Sequence, residues 1–479
     1  MGTDTARGRL GILAILCSSI LVVAMDNTIV NVALPVIRAD LGASINGLQW
    51  TVDAYTLVLA CFLMLAGATG DRLGRKRVFL TGLVLFGLGS LLCSLAPSIG
   101  WLVAARVVQA LGGAMLNPVA MSIITNVFPD PGERARAIGV WGSIVGVSLG
   151  VGPVLGGVLT ESIGWRAIFW VNVPVVVAAV ALTARFVPES RAPKPRRPDP
   201  LGQLLVIVLL GSVVTAAIEG QRFGWGSPLI LALAALSVAA LIASIWWELR
   251  RREPLVELRF FRSAPFSSAT GSAICGLAAF GTFLFLSPLY LQEVRGLSAL
   301  QSGLMLIPTA VAATVAAPLA GRLVARKGAR IPLLAAGAAM TAVAVLLAAA
   351  AADTPLWLLG VAYGVFGLGT GLLNPPITNA AVSGMPRSQA GVAAAVASTS
   401  RQLGQTLGVA VAGTILAAAA APLAGYAAAW RAVAGATTLI MVLAVVATTS
   451  WAQAGAERVA QRFADEPVAE PAGGPPRPR

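Results

Sequence analysis

Apolar residues in this chain come in long runs, broken at short intervals by clusters of charged, proline and glycine residues. A helix needs about 20 predominantly apolar residues to cross a bilayer core, and runs of that length predict spans near 10–32, 48–69, 78–97, 101–124, 136–160, 166–187, 201–219, 228–247, 268–292, 300–324, 331–351, 356–380, 390–418 and 431–451. Fourteen spans joined by short connections make sequential neighbours antiparallel and return both ends of the chain to one side. The pattern predicts an all-α membrane protein.

The polar breaks also carry the orientation. With the N-terminus inside, the inner segments hold 27 of the 34 lysines and arginines, and the outer loops hold five: Arg38, Arg166, Arg222, Arg295 and Arg431. Basic loops stay cytoplasmic, so both termini are expected in the cytoplasm, with the chain in the inner or plasma membrane of a cell that is expected to be bacterial. Arg106 and Arg401 remain, inside spans. The opening stretch "MGTDTARGRLGILAILCSSILVVAM" is too long and lacks a small-residue cleavage site, which favours a retained first helix over a signal peptide.

Composition agrees: 57% of the 479 residues are hydrophobic and 11% charged, with a mean hydropathy of +0.83, where soluble domains carry about a quarter charged residues. The net charge of +14 is accounted for by membrane orientation, so no nucleic-acid partner is expected. Cys17, Cys61, Cys93 and Cys275 fall in apolar spans without metal-ligand or CxxC spacing. No metal is expected.

Two stretches fall outside the spans: a Pro- and Arg-rich linker at 188–200 and a tail at 452–479 whose composition is that of disorder. They divide the chain into an N-terminal six-helix half (1–187), an inserted helix pair (201–247) and a C-terminal six-helix half (248–451). The halves resemble each other. "LVAARVVQALGGAMLNPV" (102–119) aligns with "LLGVAYGVFGLGTGLLNPPI" (358–377) through Asn117-Pro118 and Asn374-Pro375, and "AIGVWGSIVGVSLGVGPVLGG" (137–157) with "AGVAAAVASTSRQLGQTLGVA" (390–410), matching Gly152 to Gly404 and Gly156 to Gly408. A third pair, "GDRLGRKR" (70–77) and "GRLVARKGAR" (321–330), places Arg-rich turns in corresponding loops. Three matches in one order indicate duplicated halves, as in many transporter folds.

"GDRLGRKR" sets Asp71 at a helix end before Arg72, Arg75, Lys76 and Arg77. It reads either as a solvated basic loop or as a conformational latch in which Asp71 pairs with a basic group or a helix N-terminus of the other half. Gly146, Gly150, Gly152, Gly156 and Gly157, with Pro153, put several glycines on one helix face, so that a neighbouring backbone can come close.

Together these motifs resemble the major facilitator superfamily, in its fourteen-helix drug:proton antiporter branch (QacA/EmrB-type multidrug efflux transporters). "GDRLGRKR" resembles the loop motif between helices two and three, and "MDNTIVNVALP" (25–35) the first-helix signature. "RVVQALGGAMLNP" (106–118) is similar to the fourth-helix motif with its buried arginine, apart from Ala110 where glycine is usual, and "GVSLGVGPVLGG" (146–157) to the fifth-helix antiporter motif. "WRAIFWVNVP" (165–174) and "STSRQLGQTLG" (398–408) also look like that branch. The resemblance implies two pseudo-symmetric six-helix halves with an added pair, efflux of drugs or antibiotics, and a monomer. It makes Asp26, Asp53 and Arg106 the proton-coupling candidates, with Asn31, Gln109, Asn117, Asn374 and Arg401 as further candidates in the same motifs.

Asp26 and Asp53 are the acids that lie clearly within spans. A charge at bilayer depth costs about 2.5–3.5 kcal/mol on insertion scales, so such residues face a cavity or a partner. Counting along the helices puts Asp26, Asp53 and Arg106 at a similar depth, where they could form one electrostatic cluster. That cluster is either a structural ion pair or a proton switch. The chain has no histidine, so coupling near neutral pH would fall to a carboxylate, and Asp26 is the best candidate. No G-x-x-x-x-G-K-[ST] or hydrolase motif is present. The expectation is therefore a transporter rather than an enzyme, needing no cofactor beyond a proton gradient, its partners being a lipophilic small molecule, protons and membrane lipid. A dedicated exporter of one endogenous metabolite or lipid, and a non-transporting sensor on the same fold, are the alternatives. The acids absent from the interiors of spans nine to fourteen argue against multivalent cations as substrates.

Overall fold

In a computed structural model the described residues are 6–192, 199–251, 257–382 and 390–449, with 452 and 455. Their regular structure is all helical, with no strand among them. The first bundle contains α1 (Ala6–Leu41), α2 (Ile45–Leu73), α3 (Arg75–Ser94), α4 (Ile99–Val127), α5 (Pro131–Ser162), α6 (Ala167–Trp170) and α7 (Asn172–Phe186). The pair α8 (Pro200–Phe223) and α9 (Pro228–Glu248) follows. The second bundle contains α10 (Ala264–Leu289), α11 (Ala299–Met305), α12 (Ile307–Lys327), α13 (Arg330–Ala348), α14 (Leu356–Val382), α15 (Ala390–Ala418) and α16 (Pro422–Ala447). With α6–α7 and α11–α12 each forming one span, the series has fourteen members. The tail from 456, and linker residues 193–198, lie outside the described residues.

Two of the spans that read as continuous in sequence are broken for the same reason. Pro174 and Pro308 lack the N–H that would bond to the carbonyl four residues earlier, and the helix restarts near each, at Asn172 and Ile307. The first helix also runs well past its apolar core, to Leu41.

The duplication is visible in the packing. In the first bundle α1 packs on α5, α2 on α4, α3 on α4 and α7; in the second, α10 packs on α15, α12 on α14, and α13 on α14 and α16. Glycines matched in sequence make matched contacts: Gly152 lies against Met25 and Thr28 of α1 and Gly156 against Ile29, while Gly404 and Gly408 lie against Ile274 and Ala278 of α10. Backbones this close leave no room for a Cβ, the usual basis of helix association in lipid.

The two bundles meet along two seams, α2 with α15 and α5 with α11–α12. We call the side bearing the start of α1 and the end of α16 the terminal face, and the opposite side the distal face. An apolar cluster running from Ile37 and Trp165 to Leu291 and Leu347 joins both bundles near the distal face. Towards the terminal face, the larger apolar clusters stay within one bundle each, and a small one about Cys61 and Leu210 ties α8 to α2 and α15.

Candidate functional site

Asp26 answers the expectation of a partner. Its Oδ2 accepts from Arg106 Nη1, and its Oδ1 accepts from Gln109 Nε2 at 2.8 Å and Asn172 Nδ2 at 3.1 Å. Arg106 also donates from Nη1 to Gln109 Oε1 (2.7 Å) and from Nε to the Thr51 carbonyl (3.1 Å), and its guanidinium carbon lies 4.0 Å from the centre of the Tyr55 ring. Ser90 Oγ closes the network, accepting from Gln109 at 2.7 Å and Asn172 at 3.0 Å. Five helices thus contribute, and all of these side chains are buried.

Local geometry explains the convergence. Arg106 and Gln109 are three residues apart, so both project from one face of α4. Gly89 and Gly112 let α3 and α4 touch backbone to backbone, which brings the short Ser90 side chain within reach of Gln109. Among the described residues the second bundle has no such network: the offset of 257 that aligns the two Asn-Pro pairs sets Tyr363 and Phe366 at the positions of Arg106 and Gln109. There Phe283 stacks on Phe366 with ring centres 4.6 Å apart and meets Tyr363 edge-on at 4.9 Å, with Trp430 closing the group. The same architecture holds an ion pair in one half and an aromatic core in the other.

The expected three-residue cluster does not form. Asp53 is wholly buried, but both carboxylate oxygens lack a hydrogen-bond partner, and Arg106 reaches α2 at the Thr51 carbonyl instead. Neighbours one turn away on α2 explain the separation, because they face α15 rather than α4: Gln49 Nε2 donates to the Ala410 carbonyl (2.7 Å), and the Thr56 hydroxyl accepts from Thr406 (2.8 Å).

Between the bundles lies a cavity of about 540 Å³ lined by α5, α10, α12 and α14, including Ser143, Phe280, Thr314 and Asn374. Its lining contains no acid or base. Gly139, Gly142 and Ser143 at its rim are exposed, so it opens to the terminal face. The distal face is closed across the bundles. Arg38 Nη1 donates to both oxygens of Glu293 at 2.9 Å, Gln292 donates to the Val32 carbonyl at 2.8 Å, and the Leu300 N–H donates to Glu161 at 3.2 Å.

Duplicated six-helix bundles around a one-sided cavity define an architecture, and sequence comparison gives it a family. The profile of the Major Facilitator Superfamily matches residues 16–409. The chain belongs to that superfamily. Relatives include the multidrug resistance protein Stp of Mycobacterium tuberculosis, 39% identical over 82% of this chain and 73% of that one. The methylenomycin A resistance protein of Streptomyces coelicolor is 36% identical over 84% of each chain, and the tetracenomycin C resistance and export protein of Streptomyces glaucescens 35% identical over 83% and 74%. Among solved structures, a peptide transporter of the POT type in complex with sulfate superposes with a TM-score of 0.67 over 95% of both chains. The human organic anion transporter MFSD10 does so with 0.62 over 91% and 99%. Both are 15% identical and bear on the fold alone. As a major facilitator protein the chain is a multi-pass membrane transporter rather than an enzyme.

Within that facilitator frame the remaining candidates divide. Asp71 pairs with Arg75 in its own loop at 2.8 Å, and not with the other half among the described residues. Lys76 donates to the Ala184 carbonyl at 2.7 Å, and Arg72 is exposed. The start of the linker docks here, with Ala192 N–H on the Asp71 carbonyl and Ser190 carbonyl on Arg75 N–H. In this state the Asp71 carboxylate is engaged within the first half, by Arg75. Gly157 packs against Ala299 and Leu300, and the Pro153 carbonyl against Gly303. Asn31 is buried and donates to the Asn27 carbonyl; Asn117 is half-buried. Arg401 donates to Thr378 at 3.0 Å near the cavity mouth. Sequence reasoning missed Ser90 and Asn172 as members of the network. Asn172 sits inside the quoted "WRAIFWVNVP", but a serine on an apolar helix gives no signal.

Proposed function

We propose that the protein is a proton-coupled antiporter that exports lipophilic neutral or monocationic drugs or antibiotics from the cytoplasm by alternating access, with its termini and terminal face cytoplasmic. The observation that carries this reading is the fully buried Asp26–Arg106 pair in a bundle that also bounds, through α5, a cavity open to one face. In the state described here, Asp26 is held against Arg106 and substrate enters from the cytoplasmic side. Protonation of Asp26 removes half of a buried pair, and an uncompensated buried charge costs about 3–5 kcal/mol. Arg106 then depends on Gln109, Thr51 and Tyr55, so the proton biases how α1 packs on α4 and α7, and α1 also packs on α5, the helix that faces the second bundle. A proton taken up from outside after substrate release, and lost to the cytoplasm on return, closes the cycle.

A cavity whose lining has no charged group favours neutral or singly charged lipophiles over multivalent cations. The Streptomyces relatives named for resistance to a single antibiotic favour a second reading, a dedicated exporter of one such compound. Efflux from sealed proteoliposomes separates the two readings: a panel of neutral and monocationic dyes and antibiotics, with and without an imposed pH gradient. Gradient-dependent export of several members supports the first reading and of one member the second. Export indifferent to the gradient contradicts proton coupling.

A further inference from the structure

Two arginines lie inside spans, and the structure treats them differently. Arg106 is paired with Asp26 and held further by Gln109 and Thr51. Arg401 sits midway along α15, eleven residues beyond Ala390, which at the helical rise is about 16 Å from that end, and it is half-buried. Its Nη2 donates to the Thr378 hydroxyl at 3.0 Å, while its Nε is buried without an acceptor. Among the described residues it enters no ion pair. A cation this deep in a span, with one neutral contact, is costly unless a counter-charge comes from outside the chain.

Two observations set Arg401 beside the central cavity. The offset of 252 that matches Gly152 with Gly404 and Gly156 with Gly408 puts Arg401 at the position of Leu149, and Leu149 lines the cavity. From the other side, Thr370, Asn374 and Thr378 follow at four-residue spacing on one face of α14. The first two line the cavity, and the exposed third accepts from Arg401. The guanidinium is thus tied to the turn of α14 next to the cavity lining, on the terminal side. The lining itself is apolar over much of its wall, with Leu149, Leu277, Phe280 and Leu373.

We propose that Arg401 receives the acidic group of an exported compound whose apolar body lies in the cavity, so that lipophilic monoanions, carboxylates or phenolates with one ionised group, are substrates of this transporter. This rests on the export reading above and adds a charge class to it. A planar guanidinium offers an anion donors in fixed directions, and among the described residues neither Nη1 nor Nε of Arg401 is taken up by a protein acceptor. One cation matches one anionic group. A dianion would bring a second charge into an apolar cavity without a partner, and a monocation gains nothing from Arg401.

The test uses full-length protein in phosphatidylcholine nanodiscs and three probes that share one apolar body, pyrenebutyrate, pyrenebutanol and pyrenebutylamine, with binding read as energy transfer from the protein's tryptophans. The unsubstituted protein should bind the carboxylate more tightly than the alcohol, and the advantage should disappear as pH falls below the probe's own pKa. Arg401→Gln should weaken carboxylate binding about tenfold and leave the alcohol unchanged, while Arg401→Lys, which keeps the charge, should retain most of the preference. Thr378→Asp leaves Arg401 in place but gives it a counter-charge within the chain, and should also abolish the preference while sparing the alcohol. Equal weakening of carboxylate and alcohol by Arg401→Gln would make Arg401 a structural residue and overturn the proposal. So would a carboxylate preference that survives both Arg401→Gln and Thr378→Asp, or that the unsubstituted protein lacks. In proteoliposomes, export of the alcohol or amine without the carboxylate would overturn this proposal and leave the export reading standing. Export of none of the three would count against the export reading, with the binding comparison still deciding Arg401.

Discussion

Arg106 serves three partners from one side chain: the Asp26 carboxylate, the Gln109 carbonyl oxygen and the Thr51 main chain, with the Tyr55 ring across its face. Lysine keeps the charge but presents it at a single atom, without the planar fork that spreads donors in fixed directions. Arg106→Lys is thus expected to insert and fold but to lose at least about tenfold in gradient-driven transport, measured as initial efflux at matched expression. Activity equal to the parent across pH would mean that the network needs only a positive charge. The sequence pointed to Asp26 and Arg106 because charge inside an apolar run is conspicuous. It could not separate Asp53 from them, since facing α15 or α4 depends on how α2 is rotated, which the residue count along a helix does not reveal.

At the level of elements, the glycines of α5 act as distances. Gly157 stands where the distal ends of α5 and α11 touch through main chain, so Gly157→Val should prise that contact apart and favour a state open on the distal face. Thiol accessibility at that face should rise, and inaccessibility unchanged from the parent would show that the contact yields elsewhere. Another device fixes the inserted pair: Asp199 caps α8 by accepting from the Gly202 N–H at 3.0 Å and also holds Trp247 at 3.0 Å and Arg251 at 3.3 Å near the end of α9. Burial opposes ionisation of Asp199, but these donors prevail and hold its carboxyl below the usual aspartate value. A group whose pKa is lowered on folding stabilises above its unfolded value, about 3.9 for aspartate, and that contribution disappears as pH falls through the folded value. Asp199→Ala should therefore cost about 1 kcal/mol near neutral pH and progressively less in acid, read from thermal denaturation in detergent at several pH values. A cost that stays constant into acid would assign the effect to packing. Helix positions were legible because apolar runs of span length have few other uses, whereas the breaks near Asn172 and Ile307 depended on individual prolines.

For the whole molecule, one face is closed and the other open, and the pairs at each face should set that balance. Arg38 and Glu293 are partly exposed, and such pairs contribute no more than about 1 kcal/mol, so the distal closure relies mainly on the shared apolar cluster. Asp71 has the converse role in the account: with the terminal face open it is kept by Arg75, and we expect it to engage the second half when that face closes. Asp71→Asn should shift the population towards the terminal-open state by about 1–3 kcal/mol, read as a longer distance between spin labels on the terminal ends of α2 and α15. Lost transport with an unchanged distance distribution would end the latch reading. The duplication and the inserted pair were readable from repeats and span lengths, but which face is open is a property of packing between bundles, to which no single residue testifies. The central claim is that Asp26 couples the proton to transport, and Asp26→Asn tests it most directly, since the amide keeps size and polarity but cannot titrate. In proteoliposomes loaded with an exported dye, the variant should still exchange labelled for unlabelled dye across the membrane while losing uphill transport driven by an imposed pH gradient; gradient-driven accumulation at the parent level would contradict the account.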